Sequence, residues 1–220
     1  MNPAHYDAWY DTPRGRWIGE TEYRLIERQL PLRSGAQVLD VGCGTGWFTR
    51  RMAHRGNLHV TGLDINSEWL AFARKRDPNS RYVQGDALAL PFADNSFDAV
   101  ISVAALCFTE DWKSAIREIV RVCRGKFAIG MLNHQSQLWR DKGRNGGSGA
   151  YQGAYWVTPS ELIGSAIDLP VADVSLHSAV FLPSGTLIAR CFEILIPSRL
   201  LKGGFIVMTG RKSLNGIADD

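Results

Sequence analysis

The stretch Val38-Leu39-Asp40-Val41-Gly42-Cys43-Gly44-Thr45-Gly46 constrains this chain more than any other. Gln37 to Val41 is mostly aliphatic and β-branched, the pattern of a parallel strand covered on both faces. Three glycines at alternate positions follow, where the backbone can turn sharply and a ligand can approach without meeting a Cβ. Trp47 to Ala53 then suits a helix whose first amides face the same cleft. A strand, a glycine turn and a helix in this order place a nucleotide-like ligand at the carboxyl end of a sheet.

The spacing narrows the ligand. A dinucleotide site has G-x-G-x-x-G, with the pyrophosphate on the helix N-terminus. Here the spacing is G-x-G-x-G, with Asp40 two residues before the first glycine. A carboxylate beside the turn repels a diphosphate and suits a cationic or ammonium-bearing ligand.

The rest of the chain alternates strand and helix for two-thirds of its length. Helical periodicity runs from near Trp17 to Leu30, after an aromatic segment with a turn signal at Asp11-Thr12-Pro13-Arg14-Gly15. Leu58–Asp64, Arg81–Asp86, Phe97–Val103 and Lys126–Leu132 read as further strands, the first two ending on acids. Asn66 is an N-cap for a helix that Asp77-Pro78-Asn79 stops, and Trp112, Ala115, Ile116, Ile119 and Val120 share one helical face. The expected fold is α/β, a doubly wound, mostly parallel sheet. Arg140 to Gly149 reads as a polar, glycine-rich loop, Thr158-Pro159-Ser160-Glu161 as a capping box, and Thr186–Ile196 as a helix. Val171–Val180 and Phe205–Thr209 read as late strands.

Val38 to Thr49 resembles the first motif of the class I S-adenosylmethionine-dependent methyltransferases. Leu90 to Asp98 resembles a link found in their small-molecule branch (methyltransferase type 11, the ubiquinone and menaquinone type). The resemblance covers Tyr6 to about Leu132 well and the remainder loosely. It implies a Rossmann-like sheet of seven strands with an antiparallel edge pair, and S-adenosyl-L-methionine as methyl donor, leaving S-adenosyl-L-homocysteine. Asp64, 22 positions beyond Gly42, is then the ribose-binding acid, with Ile65 beside it. Asp86 and Ala87 take the adenine edge, and Asp40, Gly42, Cys43, Gly44 and Gly46 form the turn around the cofactor. Ser102 backs its methionine part, and Tyr6 closes over it with the N-terminal segment, as a lid or as a cap packed on the sheet edge. The reaction implied is in-line displacement onto an O, N or C atom of a small molecule. The sequence [D/N]-P-P-[Y/F] of amino-methylating relatives is replaced by Ser102-Val103-Ala104-Ala105.

No general base stands out. His134 and Tyr10 are the candidate catalytic side chains, although a surface or packed role is favoured for His134 and for His177. Asp98 reads as structural. Trp139, Tyr151, Tyr155 and Trp156 flank the glycine-rich loop and are candidates to line an apolar acceptor pocket; Arg140, Lys142 and Arg144 either meet an anionic substrate or keep the loop solvated, and the solvated reading is favoured.

Domain organisation follows. Residues 1–212 are read as one domain: a cap or lid over 1–31, a cofactor-binding half over 36–133, and an acceptor-side half over 134–212. A polar tail occupies 213–220. A net charge of +3 over 220 residues lacks the basic stripe of a nucleic-acid binder. The four cysteines show no metal or disulfide spacing, so no metal is expected. No apolar stretch reaches spanning length, and Met1 to Tyr10 lacks the pattern of a secretory leader, which together point to a reducing cytoplasm. A monomer or homodimer is expected. Two other readings stay open: an oxidoreductase with a nucleotide cofactor, against which the glycine spacing and Asp40 count, and a non-catalytic S-adenosylmethionine-binding protein.

Overall fold

The computed structural model describes residues 2–213, so the expected tail lies, beyond Ser213, outside the described residues. Two helices open the chain, α1 (Pro3–Trp9) and α2 (Pro13–Gln29). The alternating part follows as β1 (Gln37–Val41), α3 (Trp47–Gly56), β2 (His59–Asp64), α4 (Ser67–Arg76), β3 (Arg81–Gln84), β4 (Phe97–Val103), α5 (Trp112–Val122) and β5 (Cys123–Asn133). The last third holds β6 (Trp156–Val157), α6 (Pro159–Gly164), β7 (Val171–Ala179), α7 (Leu187–Leu195) and β8 (Phe205–Lys212).

Seven strands lie in the order β3-β2-β1-β4-β5-β8-β7, and the two-residue β6 pairs with the end of β5 off this path. Pairings from β3 through β5 are parallel, while β8 runs antiparallel between β5 and β7. The order reverses between β1 and β4, so the crevice of this sheet opens at the carboxyl ends of those two strands.

Both faces of the sheet are buried, which explains the uninterrupted apolar strands. Leu39, Val41, Val100, Phe127 and Ile129 pack on one side against Ile116, Ile119 and Val120 of α5. Val38, Ala99, Ile101 and Val207 pack on the other against Ile18, Leu25 and Ile26 of α2 and Phe48 and Met52 of α3. Each such large aliphatic side chain, fully removed from water, contributes ~1.5–3 kcal/mol.

Three local expectations are corrected. The segment around Asp11-Thr12-Pro13 is the start of α2, four residues earlier than periodicity places it: Thr12 caps the amide of Gly15 and Pro13 sits at the first helical position. The third strand ends at Gln84, not at Asp86, because Asp86 turns back into a bridge with Ala89. The Arg140–Gly149 segment is folded as a succession of short helical turns. The capping box at Thr158 and Glu161 forms as expected.

Arg121 fixes the long link between β3 and β4. Its guanidinium donates to the carbonyls of Leu90 and Phe92 and pairs with Asp94 and Glu118. Asp98 is structural: it accepts from the Gln37 amide and from Arg124, which hold its carboxyl below the usual carboxylate range. Replacing Arg121 by Ala is expected to lower unfolding stability by about 1–3 kcal/mol, since two buried-side carbonyls and two acids lose their donor. The urea midpoint measures it, against Arg117→Ala at an exposed site, where the change should stay within about 0.5 kcal/mol.

Candidate functional site

A cleft of about 1450 Å³ opens over the carboxyl ends of the central strands. The glycine turn forms its floor through a backbone clasp. The amides of Gly42 and Cys43 both donate to the Leu63 carbonyl, at 2.7 and 2.9 Å, and the amide of Gly44 donates to Asp64 Oδ2 at 2.8 Å. Asp64 Oδ1 accepts from the Asn66 amide at 2.9 Å. Each carboxylate oxygen therefore has one partner and one further acceptor position.

Gly42 and Gly46 adopt left-handed φ of 73° and 76°. The space a Cβ would take is filled by protein: Ala105 Cβ at 2.3 Å from Gly42, the Trp69 ring at 3.2 Å from Gly44, and the Tyr82 hydroxyl at 2.6 Å from Gly46. These glycines are dictated by close approach of neighbouring side chains. Beside them Ala104 takes a left-handed φ of 50°, uncommon for a residue with a Cβ.

Asp40 lies under the turn, 1% exposed, and accepts from Thr49 Oγ1 at 2.6 Å. Burial pushes its carboxyl up to about 7, opposed by the Thr49 hydroxyl and reinforced by Asp64. The Thr45 hydroxyl is buried at the cleft and has no hydrogen-bond partner among the described residues. An orphaned donor next to a buried carboxylate suits a ligand carrying both an anionic and a cationic group.

The expected residues divide. Asp40, Gly42, Cys43, Gly44, Asp64, Ile65, Asp86, Ala87, Tyr6 and Tyr10 line the cleft together. Gly46 and Ser102 do not: Gly46 packs on Tyr82, and Ser102, wholly buried, donates to the Val41 carbonyl and so ties β4 to β1. His134 is also outside the lining; it is exposed and stacks on Trp139, with ring centroids 4.0 Å apart. His177 is buried within β7, and burial lowers its pKa. Of the four aromatics near the glycine-rich segment only Tyr151 reaches the cleft, and of the three cations only Lys142. Trp139 and Trp156 are spent on Gly143, and Tyr155 is exposed.

The N-terminal helices cover the cleft. Asp7 of α1 is buried and pairs with Arg50 and Arg76 at 2.8 and 3.3 Å, pinning α1 to α3 and α4. Tyr6 lies on Trp69 and Tyr10 stacks on Trp47, which aims both phenols inward; their hydroxyls are 3.4 Å apart. Burial raises both, Tyr6 to about 12. Arg14, Ile18 and Glu22 of α2 also face the cleft, and sequence reasoning missed their part. Their i, i+4, i+8 spacing was the available signal, hidden by starting the helix at Trp17.

Comparisons with known proteins agree with this geometry. Residues 39–128 match the family described as “methyltransferase domain”. The chain carries a methyltransferase domain. It is 32% identical over 188 residues to a malonyl-[acyl-carrier protein] O-methyltransferase of Erwinia pyrifoliae, covering 82% of this chain and 65% of the relative. It is 38% identical over 113 residues to a demethylmenaquinone methyltransferase of Renibacterium salmoninarum, covering 50% and 47%. The chain thus spans about half to two-thirds of the length of these curated relatives. A crystal structure of a SAM-dependent methyltransferase from Thermotoga maritima superposes with a TM-score of 0.78 at 24% identity, covering 95% of both chains. This is the Rossmann-like methyltransferase fold.

The raised Asp40 carboxyl predicts a pH dependence. A folded pKa above the unfolded one means that the native state holds the proton more tightly, so this contribution is present below about pH 4 and declines as pH rises toward 7. Denaturant unfolding from pH 4 to 8 should show wild type losing stability relative to Asp40→Asn over that window; parallel profiles would contradict it.

Proposed function

We propose that this methyltransferase domain binds S-adenosyl-L-methionine in the cleft and moves its methyl group to a small-molecule acceptor. The observation that carries the reading is the Asp64 carboxylate, fixed by the Gly44 and Asn66 amides with its remaining acceptor positions at the cleft. That arrangement serves two adjacent hydroxyls of a ribose. Asp86, which also accepts from the Leu88 amide, and Ala87 stand where an adenine edge would be read. Asp40 and the unpartnered Thr45 hydroxyl serve the amino-acid end.

The size of the cleft supports two ligands. A single drug-sized ligand needs roughly 300–1,000 Å³, less than the volume present. The lining also includes Ile18, Val103, Leu132, Val180 and Phe205, which suits an apolar acceptor.

The bound donor supplies a methyl group already activated on a sulfonium. The protein's task is then to hold the nucleophile in line and exclude water. The aromatic faces of Tyr6 and Tyr10 favour a nearby cation. With His134 outside the cleft, Tyr10 is the remaining member of the initial pair of catalytic candidates, and its raised pKa makes it a donor rather than a base. Four free cysteines, two of them buried and one part-buried, support a reducing compartment such as the cytoplasm.

Calorimetric titration tests the cofactor. S-adenosyl-L-homocysteine should bind saturably and NAD should not; the reverse result would sink the proposal. Asp64→Ala should weaken S-adenosyl-L-homocysteine by roughly 1–3 kcal/mol through lost charge-assisted bonds. Gly44→Val, whose side chain would meet the Trp69 ring, should abolish measurable binding.

A further inference from the structure

Helix α2 sends Arg14, Ile18 and Glu22 into the cleft from one face. The two charged residues sit about 12 Å apart along the helix axis, eight residues at ~1.5 Å each, and their surroundings differ. Arg14 is already engaged: its Nε donates to the Pro183 carbonyl at 2.7 Å, and its charge stands against Tyr151. The Glu22 carboxylate has no hydrogen-bond or ion-pair partner among the described residues.

Arg14, Lys142 and His5 also line the cleft, but none forms an ion pair with Glu22, and the charge acting on it is that of an acid. Glu193 of α7 adds a like charge, itself occupied by the Val180 and Phe181 amides. Tyr6 of α1, Tyr10 just after it, Cys107 after β4, and Tyr151 stand near enough for the charge of Glu22 to raise their pKa values. Burial first, then Glu193, push the Glu22 carboxyl up to about 8. Nothing in the fold requires a carboxylate here, since it caps no amide and pairs with no cation.

A lone carboxylate among aromatic rings in an apolar-walled cavity is complementary to an ammonium group on an apolar body: the anion supplies charge and the ring faces add their quadrupoles. We infer that the acceptor is an apolar molecule bearing a basic amine, and that Glu22 is the residue that binds its ammonium group. This deepens the proposed function and rests on the cleft holding donor and acceptor together. An anionic acceptor would leave the Glu22 carboxyl without a counter-charge, whereas an ammonium group pairs with it.

The probes are two amines, 2-phenylethylamine and tryptamine, and their neutral counterparts, 2-phenylethanol and tryptophol. Each is titrated into full-length protein saturated with S-adenosyl-L-homocysteine. The amines should bind at least tenfold more tightly than the alcohols. At pH 7 the carboxyl is mostly protonated, so ammonium binding should release a proton, seen as a heat that varies with the buffer's ionisation enthalpy. Glu22→Gln should lose that proton release and at least tenfold in amine affinity, while S-adenosyl-L-homocysteine binds within about twofold of wild type. Equal binding of amines and alcohols, no amine binding, or unchanged amine affinity in the variant would overturn the inference and leave the cofactor assignment intact. Wild-type protein that fails to bind S-adenosyl-L-homocysteine would overturn the cofactor assignment instead. The amine-against-alcohol comparison and the proton release need no variant, so a misfolded Glu22→Gln does not rescue the claim.

Discussion

The rest of the site depends on one clasp between β1 and β2. The Leu63 carbonyl accepts two successive amides from the glycine turn, and the Asp64 carboxylate accepts a third. Three donors that a tight turn would leave orphaned are satisfied by the neighbouring strand end, which fixes the turn without occupying the cleft side of the carboxylate. The clasp also decides the glycines. A Cβ at Gly42 or Gly46 would clash with Ala105 or Tyr82, and one at Gly44 would crowd the Trp69 ring.

A second constraint brings the N-terminus over this floor. Asp7 would be costly as a buried unpaired charge, and Arg50 of α3 and Arg76 of α4 neutralise it from two directions. The aromatic contacts of Tyr6 with Trp69 and Tyr10 with Trp47 then orient α1, and α2 lies across β7 and β8 with its Arg14–Ile18–Glu22 face turned to the cleft. The acid-bearing part of the cleft is thus built by loops after the strands, and two helices that precede the first strand complete its lining.

Charge is distributed with the same logic. Asp40 lies within β1, Asp64 ends β2 and Asp86 follows β3 by two residues, and a threonine hydroxyl and backbone amides compensate them. Glu22 also lines the cleft but has no hydrogen bond or ion pair to compensate it. Carboxylates of similar intrinsic acidity acquire different properties from desolvation and neighbours: the buried Asp40 and the part-buried Glu22 are pushed toward neutrality, whereas Asp98 at the opposite end of the sheet is held down by an amide and a guanidinium.

The sequence alone determined the alternation of strands and helices, the position of the glycine turn and the acids that follow it. Each is set by local rules: two-sided burial makes a strand uniformly apolar, and a turn at a strand end needs glycine and leaves an acid beside it. The same rules misled at Thr12-Pro13, where a helix cap and a turn share one composition, and at Arg140–Gly149, where glycine-rich polarity hid folded turns. Tertiary structure alone decided which side chains share the cleft. His134 and Ser102 sit at favourable points along the chain, yet one stacks outward on Trp139 and the other bonds across to β1. Glu22, more than sixty residues from the nearest part of β4, reaches the cleft because α2 packs across the sheet. Direction of a side chain depends on packing against distant elements, and that information is not carried by spacing along the chain.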